Sequence, residues 1–209
     1  PERKLGGIPD PAQRKEVARM TNAEHFKALF TKHINRKGAG GLLAWLETTD
    51  FFTAPASTKY HGAYPGGLVD HSLNVYLAFY EPLDAMKICE IESRLGLGME
   101  ETAETIAVCT LLHDICKANY YEPMDGGGYK VNDQFPFGHG EKSVLLISRF
   151  MRLREIEALA IRWHMGAYDD AARGGSRTLS AAMAIDPLVY DLHVADMRAT
   201  QREQREEQK

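Results

Sequence analysis

The hydrophobic residues of this chain recur at intervals of three and four, the spacing at which side chains share one face of a helix. Leu68, Val75 and Ala78 mark such a face, and Pro82 ends the helix that carries it. Further helices are predicted over 22–36, 42–52, 99–117, 140–151 and 154–165, with another opening at 186–187. The helix over 99–117 has the most apolar sequence and should be the most deeply buried. The pattern predicts an all-α fold.

The segment 119–137 departs from the helical pattern. It contains Gly126, Gly127 and Gly128, two prolines and several aromatic residues, so we predict one long irregular loop or a short hairpin. A break at 38–41, a polar loop at 167–178 and a solvated, fraying helix end after Thr200 are also predicted. We see no internal repeat. We therefore expect one compact domain, in which helices of residues 1–52 pack on a core formed by 53–209.

The composition limits the class of protein. With 209 residues and 44% hydrophobic content, the chain is long enough for one domain with a sizeable core. No apolar run approaches the ~18 residues of a membrane span, so we expect a soluble, cytoplasmic protein without a membrane partner. The cysteines Cys89, Cys109 and Cys116 lie in apolar or helical stretches, which favours free thiols in a reducing compartment. The net charge of −4 indicates no general attraction to nucleic acid.

Polar residues that can bind metals interrupt several of the apolar helix faces. His71 continues the face of Leu68, and Asp196 shares a face with Leu192. Taken singly, each such histidine is explained as a core residue that makes a hydrogen bond. Asp196, taken singly, is explained by a buried salt bridge. The full set of candidate ligands is His71, His113, Asp114, His139, His164 and Asp196. Together they favour a two-metal site, which is typical of hydrolytic or oxygen-handling enzymes.

The order of these residues resembles the two-metal form of the HD superfamily of metal-dependent phosphohydrolases. The run LLHDICK at 111–117 resembles the family signature LLHDIGK, with Cys116 in the place of the usual glycine. The run AYPGGLVDH at 63–71 is similar to the opening of HD-domain exoribonucleases. GHG at 138–140 and HMG at 164–166 resemble the two additional histidine motifs. The resemblance spans about 60–200 and implies an HD-domain helical bundle.

The resemblance also implies a ligand assignment for two divalent metals. One metal would be held by His71, His113, Asp114 and Asp196. The second would be held by His139 and His164, with Asp114 bridging the two ions. Imidazole and carboxylate ligands suit Mn²⁺, Fe²⁺, Co²⁺, Ni²⁺ or Zn²⁺ better than Mg²⁺, and the choice among these five stays open.

The implied activity is hydrolysis of a phosphomonoester or phosphodiester by attack of a metal-bound hydroxide. Asp114 and Lys117 are the expected catalytic residues, because the lysine lies one helical turn beyond the His-Asp pair and can hold an anionic substrate. The expected substrate-binding residues are His61, Tyr64, Lys117, Arg173 and Arg177. The expected partner is a small phosphorylated substrate of nucleotide type. The run that resembles exoribonucleases favours an alternative substrate, the 3′ end of a nucleic acid. The net negative charge of the chain argues against that alternative.

Two other functions are compatible with the same residues. An HD-type di-iron oxygenase would use the same six ligands with redox-active iron. A non-catalytic HD domain would bind a nucleotide without turning it over, although a complete ligand set argues against that hypothesis. The sequence indicates neither the exact substrate nor the oligomeric state.

Overall fold

The computed structural model describes residues 20–208, so the part of the predicted N-terminal unit in 1–19 lies outside the described residues. Helices dominate the described part, which confirms the predicted all-α class. In chain order they are α1 Asn22–His33, α2 Ala39–Glu47, α3 Gly67–Tyr80, α4 Ala85–Leu95, α5 Met99–Leu112, α6 His139–Ser148, α7 Glu155–Trp163, α8 Asp170–Arg173, α9 Thr178–Ile185 and α10 Leu188–Glu207. Short 3₁₀ turns are formed by Ile115–Lys117 and Gly166–Tyr168.

The connection between α5 and α6 contains the short hairpin that its glycine and aromatic content predicts. Its strands are β1 Tyr121–Pro123 and β2 Tyr129–Val131, and they pair antiparallel with Tyr121 opposite Val131. Gly127 and Gly128 before β2 have φ values of 87° and 80°. Glycine adopts this left-handed conformation without the steric cost of a side chain, which is why the turn can form here.

Several predicted boundaries are wrong, including those of the helices predicted over 22–36 and 42–52, which end at His33 and Glu47. The central helix does not run to Lys117, because Asp114 leaves helical geometry with φ −104° and ψ 16° and a tighter turn follows. The predicted break at 38–41 is limited to Gly38, because the next glycines are helical. Gly38 has a φ of 96°, and a Cβ atom added at this position would lie 1.9 Å from the Phe150 carbonyl oxygen. The segment after Thr200 is a largely exposed helix end, as predicted, except that α10 continues to Glu207 and Glu203 is buried.

The predicted polar loop at 167–178 is not wholly irregular, since it contains the second 3₁₀ turn and α8. The helix predicted over 154–165 ends slightly earlier, at Trp163, and Gly166 begins the 3₁₀ turn that follows. The φ of Gly166 is 55°, and an added Cβ would meet the His193 ring at 2.6 Å. Both the backbone conformation and the lack of space therefore require glycine at this position.

The core lies between α3, α5, α7 and α10, which pack against one another, with α1 on α3 and α5. Ile106 and Leu111 of α5 are almost completely buried, as the apolar sequence of that helix predicts. Phe26 and Leu42, from α1 and α2, belong to the same core cluster. The division of the chain near residue 53 stays a prediction. Among residues 20–208, no helix combines the length and apolarity needed to cross a bilayer.

A buried charge network ties the segment after α1 to α5 and α7. Glu157 has no exposed surface, and Arg36 donates to both of its oxygens at 2.6 and 2.8 Å. Arg36 also contacts Glu104 at 2.9 Å, and Arg154 and Thr105 complete the partners of Glu157. Burial opposes the charge of Arg36, but its bonds to Glu157 and Glu104 raise its pKa. The network orients the helix ends around the core.

Replacing Arg36 by alanine should destabilise the fold, because it leaves the buried Glu157 carboxylate short of its principal partner. We expect a loss of about 3 kcal/mol in the free energy of unfolding, measured by urea denaturation. Lys130→Ala is the control, since the Lys130–Glu122 ion pair is largely exposed and should contribute at most about 1 kcal/mol. Equal stability of the two variants would contradict this assignment.

Candidate metal centre

The six candidate ligands come together in the interior, four of them from helix ends and two from within helices. His71 lies within α3 and Asp196 within α10; His113 and Asp114 follow α5, His139 begins α6 and His164 follows α7. Helix ends suit this purpose because the chain can change direction there and aim adjacent side chains at one point. His71, His113, Asp114 and His164 are at most 2% exposed. His139 has the most accessible side chain of the six, at 29%.

Asp114 stands at the centre of the cluster, and its two carboxylate oxygens face different pairs of histidines. Oδ2 lies 3.7 Å from Nε2 of His71 and 3.5 Å from Nε2 of His113. Oδ1 lies 2.7 Å from Nε2 of His139 and 3.5 Å from Nε2 of His164. One carboxylate is therefore placed between two pairs of imidazoles, each pair presenting its Nε2 atoms.

The rings of His113 and His164 are held by their outer nitrogens. Nδ1 of His113 donates to the carbonyl of Thr110 at 2.9 Å, and Nδ1 of His164 donates to the carbonyl of Ile161 at 2.7 Å. The inner Nε2 atoms of both rings are buried without a hydrogen-bond partner. A buried polar atom without a partner is costly. A cation would satisfy both lone pairs, so the residues present fit a metal ion on an observation independent of the sequence pattern.

His71 lies between two carboxylates of α10. Its Nε2 is 3.2 Å from Oδ1 of Asp196, and its Nδ1 is 3.0 Å from Oε2 of Glu203. Burial opposes the charge of the ring, but hydrogen bonds to Asp196 and Glu203 raise the pKa of His71 to about 10. Asp196 also lies within 4.8 Å of ligand atoms of His113 and His164, which places it at the centre with the predicted set.

The outer nitrogen of His139 has a different neighbour. Its Nδ1 lies 3.3 Å from the Sγ atom of Cys116, the residue that replaces the usual glycine. Asp114, Cys116 and His139 form one of the groups that could hold a metal ion. Burial lowers the pKa of His139, but Cys116 and Asp114 raise it to about 10.

Lys117 supplies a positive charge at the edge of the cluster. The 3₁₀ turn after Asp114 points its Nζ at Oδ2 of Asp114, at 2.6 Å, and the residue is buried. Burial opposes charge on both partners, yet the contact raises the pKa of Lys117 and, with His113, lowers that of Asp114. The lysine therefore stays protonated and the aspartate ionised at neutral pH.

The other predicted substrate residues differ in their placement. His61 lies with its ring 4.8 Å from that of His71, and both of its ring nitrogens are buried without a hydrogen-bond partner. Tyr64 instead donates to Asp70 at 3.0 Å and lines a groove of about 760 Å³ on the other side of Glu203.

Arg173 and Arg177 are exposed in and after α8, and no ion pair of either is found within residues 20–208. No hydrogen bond of either side chain to the cluster is found in this part of the chain, and their role in substrate binding stays a prediction. A small cavity of about 160 Å³ at His139 is lined by Arg162, which pairs with Asp169 at 2.7 Å.

Two residues at or beside the centre, Glu203 and Arg162, are not in the predicted set. Glu203 was assigned to a solvated tail, although it lies seven positions after Asp196 and so on the same face of a continuous helix. That spacing is the signal that could have found it. Arg162 was not singled out, because a lone arginine in a helix is usually a solvated residue.

Comparisons with known proteins indicate the family of the chain. The family model described as HD domain matches residues 68–200. The dihydroneopterin 2′,3′-cyclic phosphate phosphodiesterase of Methanocaldococcus jannaschii is 31% identical over 86 residues, which is 41% of this chain. The chain spans about a third of the length of that curated relative, 32%. No solved structure matches the chain significantly.

The pKa of His71 predicts how stability depends on pH when a chelator is present. Protonated His71 is stabilised in the folded state, so its contribution should be complete below its unfolded pKa of about 6.5 and lost as pH rises through about 10. The stability advantage of the wild type over His71→Gln should therefore shrink between about pH 7 and pH 10 in urea denaturation. If the stability difference between the wild type and His71→Gln stays constant or grows over this pH range, the His71 ring is not held protonated by Asp196 and Glu203.

Proposed function

The chain belongs to the HD domain family, and from this premise we propose that it is a metal-dependent phosphohydrolase that cleaves a phosphate ester of nucleotide type. One observation carries the proposal. The inner nitrogens of four histidines converge on the two oxygens of the single buried carboxylate of Asp114, one pair of rings to each oxygen. A hydrogen-bonded protein core does not need four imidazoles around one carboxylate, and two of those nitrogens have no other partner.

We assign the predicted ligands to two cations on the two sides of Asp114. The Oδ2 side would use His71, His113 and Asp196, and the Oδ1 side would use His139 and His164. Nitrogen and carboxylate donors suit a divalent transition metal. Two such ions would activate a water and neutralise the charge that develops on a phosphoryl oxygen.

The protein's own groups would bind the phosphate ester and keep its charge compensated. Asp114 holds the two halves of the centre together through its two oxygens. Lys117 holds a permanent positive charge within one contact of that carboxylate, where it would pair with a phosphoryl oxygen of the substrate. His61 lies beside His71 with both ring nitrogens free to form hydrogen bonds to the substrate.

A phosphodiester is our preferred substrate class. The relative from Methanocaldococcus jannaschii is named for a 2′,3′-cyclic phosphate, in which the phosphate closes a ring on a small molecule. We extend that class to this chain and propose a small nucleotide-type phosphodiester, with linear phosphomonoesters as the next class to assay.

The test is turnover of a substrate panel under strict anaerobiosis with Mn²⁺ as the sole added metal. The panel contains 2′,3′-cyclic and 3′,5′-cyclic nucleotides, nucleoside monophosphates and a short RNA. Release of phosphate or of an opened nucleotide, absent in Asp114→Asn, supports the proposal. No turnover of any member, together with O₂ uptake by the iron-loaded protein, would overturn it in favour of an oxygenase.

Asp114 and His139 should differ in how many metal ions their loss removes. Asp114→Ala should empty both sides of the centre, because Asp114 is assigned to both cations. His139→Ala should empty only the Oδ1 side and leave one ion per chain. Metal content by elemental analysis after loading with Mn²⁺ and gel filtration measures this. Wild-type metal content in Asp114→Ala would rule out the bridging position.

Lys117 should affect the substrate more than the metal. Lys117→Ala should keep the metal content of the wild type and lower kcat/KM by roughly 10- to 150-fold, the equivalent of one charge-assisted contact of about 1.5–3 kcal/mol. Lys130→Ala, on the exposed hairpin, is the matched control and should behave as wild type. Unchanged kinetics in Lys117→Ala would reduce Lys117 to an ion-pair partner of Asp114.

A further inference from the structure

The proposed reaction does not use the contact between the Glu203 carboxylate and His71. Oε2 and Oε1 of Glu203 lie 3.0 and 3.3 Å from Nδ1 of His71, on the side of the ring away from the centre. Asp196 lies against the opposite nitrogen at 3.2 Å. Both carboxylates come from α10, two turns apart on one face of the helix, so one rigid element holds both edges of the ring.

The surroundings of Glu203 show that this contact is built into the fold. Glu203 is 6% exposed, whereas every other residue of 201–208 is exposed or half-exposed. Asn74, on the same helix as His71, donates to Oε1 at 2.7 Å. A buried carboxylate is costly unless it is paired, and both of its partners come from α3. Glu203 also lies beyond residues 68–200, the part that matches the family model.

The comparison with the other histidines defines what Glu203 can do. Nδ1 of His113 and of His164 donates to a neutral backbone carbonyl, and Nδ1 of His139 faces a thiol. Only His71 among these four has a carboxylate as the partner of its Nδ1. A carboxylate acceptor fixes the ring orientation and the tautomer and makes the opposite nitrogen a stronger metal ligand.

We propose that Glu203 is a positioning residue that directs Nε2 of His71 toward the centre and strengthens the binding of the cation on the Oδ2 side. This inference rests on the metal centre of the proposed function. It also gives the two sides different affinities: the Oδ2 side binds its ion more tightly, and the Oδ1 side, with the more accessible His139, binds more weakly.

The experiment measures metal affinity in the His139→Ala background, which isolates the Oδ2 side. Mn²⁺ and Zn²⁺ are titrated against a chromophoric chelator, with and without Glu203→Gln, which keeps the size and an acceptor oxygen but removes the charge. We expect Glu203→Gln to weaken the affinity by about 10- to 100-fold. Glu206→Gln is the matched control, because Glu206 is an exposed glutamate on the same helix, and it should leave the affinity unchanged.

Thermal unfolding in chelator separates positioning from a purely structural role. If Glu203 only fastened α10 to α3, Glu203→Gln would lower Tm without changing the affinity, and this result overturns the proposal. If the His139→Ala variant itself binds no cation, the proposed metal centre is overturned. This outcome is distinct from an unchanged affinity in the Glu203→Gln variant, which overturns only the role of Glu203. Weaker affinity in the Gln variant, with the control unchanged, supports the proposal.

Discussion

The cost of burying the Asp114 carboxylate is the constraint on which the centre depends. At 2% exposure the aspartate has little access to water, and an ionised carboxylate in such a place requires compensating partners. The fold supplies them from several helices, with Lys117 at 2.6 Å and His139 at 2.7 Å as the nearest. The early end of α5 follows from the same constraint, since the tighter turn after it aims Asp114 and Lys117 at one another.

The charges around Asp114 determine how protons would compete with cations at the centre. Asp196 and Glu203 flank His71, and although burial opposes its charge, their hydrogen bonds raise its pKa to about 10. His113 is the opposite case, since burial, outweighing Asp114, lowers its pKa to about 4 and leaves the ring neutral. A neutral imidazole is ready to bind a metal, whereas a protonated one must first lose its proton. His113 is therefore ready to bind a metal, whereas a metal at His71 would compete with a proton.

Much of the fold and the core of the site follow from helical periodicity and from the HD resemblance. The apolar faces carrying His71 and Asp196 required those polar residues to point inward, and the structure places both there. His139 could not be found from periodicity, because it is the first residue of α6 and belongs to no predicted face; its motif supplied it. Glu203 is hard to predict because a charged sequence resembles a solvated helix end. Its spacing of seven residues from Asp196 is the one signal in the sequence, and the packing of α10 on α3 shows that this face is buried.

The predicted substrate residues show where the sequence has little power. Arg173 and Arg177 have the right charge, but the direction of an exposed loop depends on tertiary packing that local composition does not encode.

The direct test of the central claim is anomalous diffraction from crystals soaked in Mn²⁺. The account predicts two peaks about 3.5–4 Å apart, one beside each oxygen of Asp114. A single peak, or peaks away from Asp114, would contradict it.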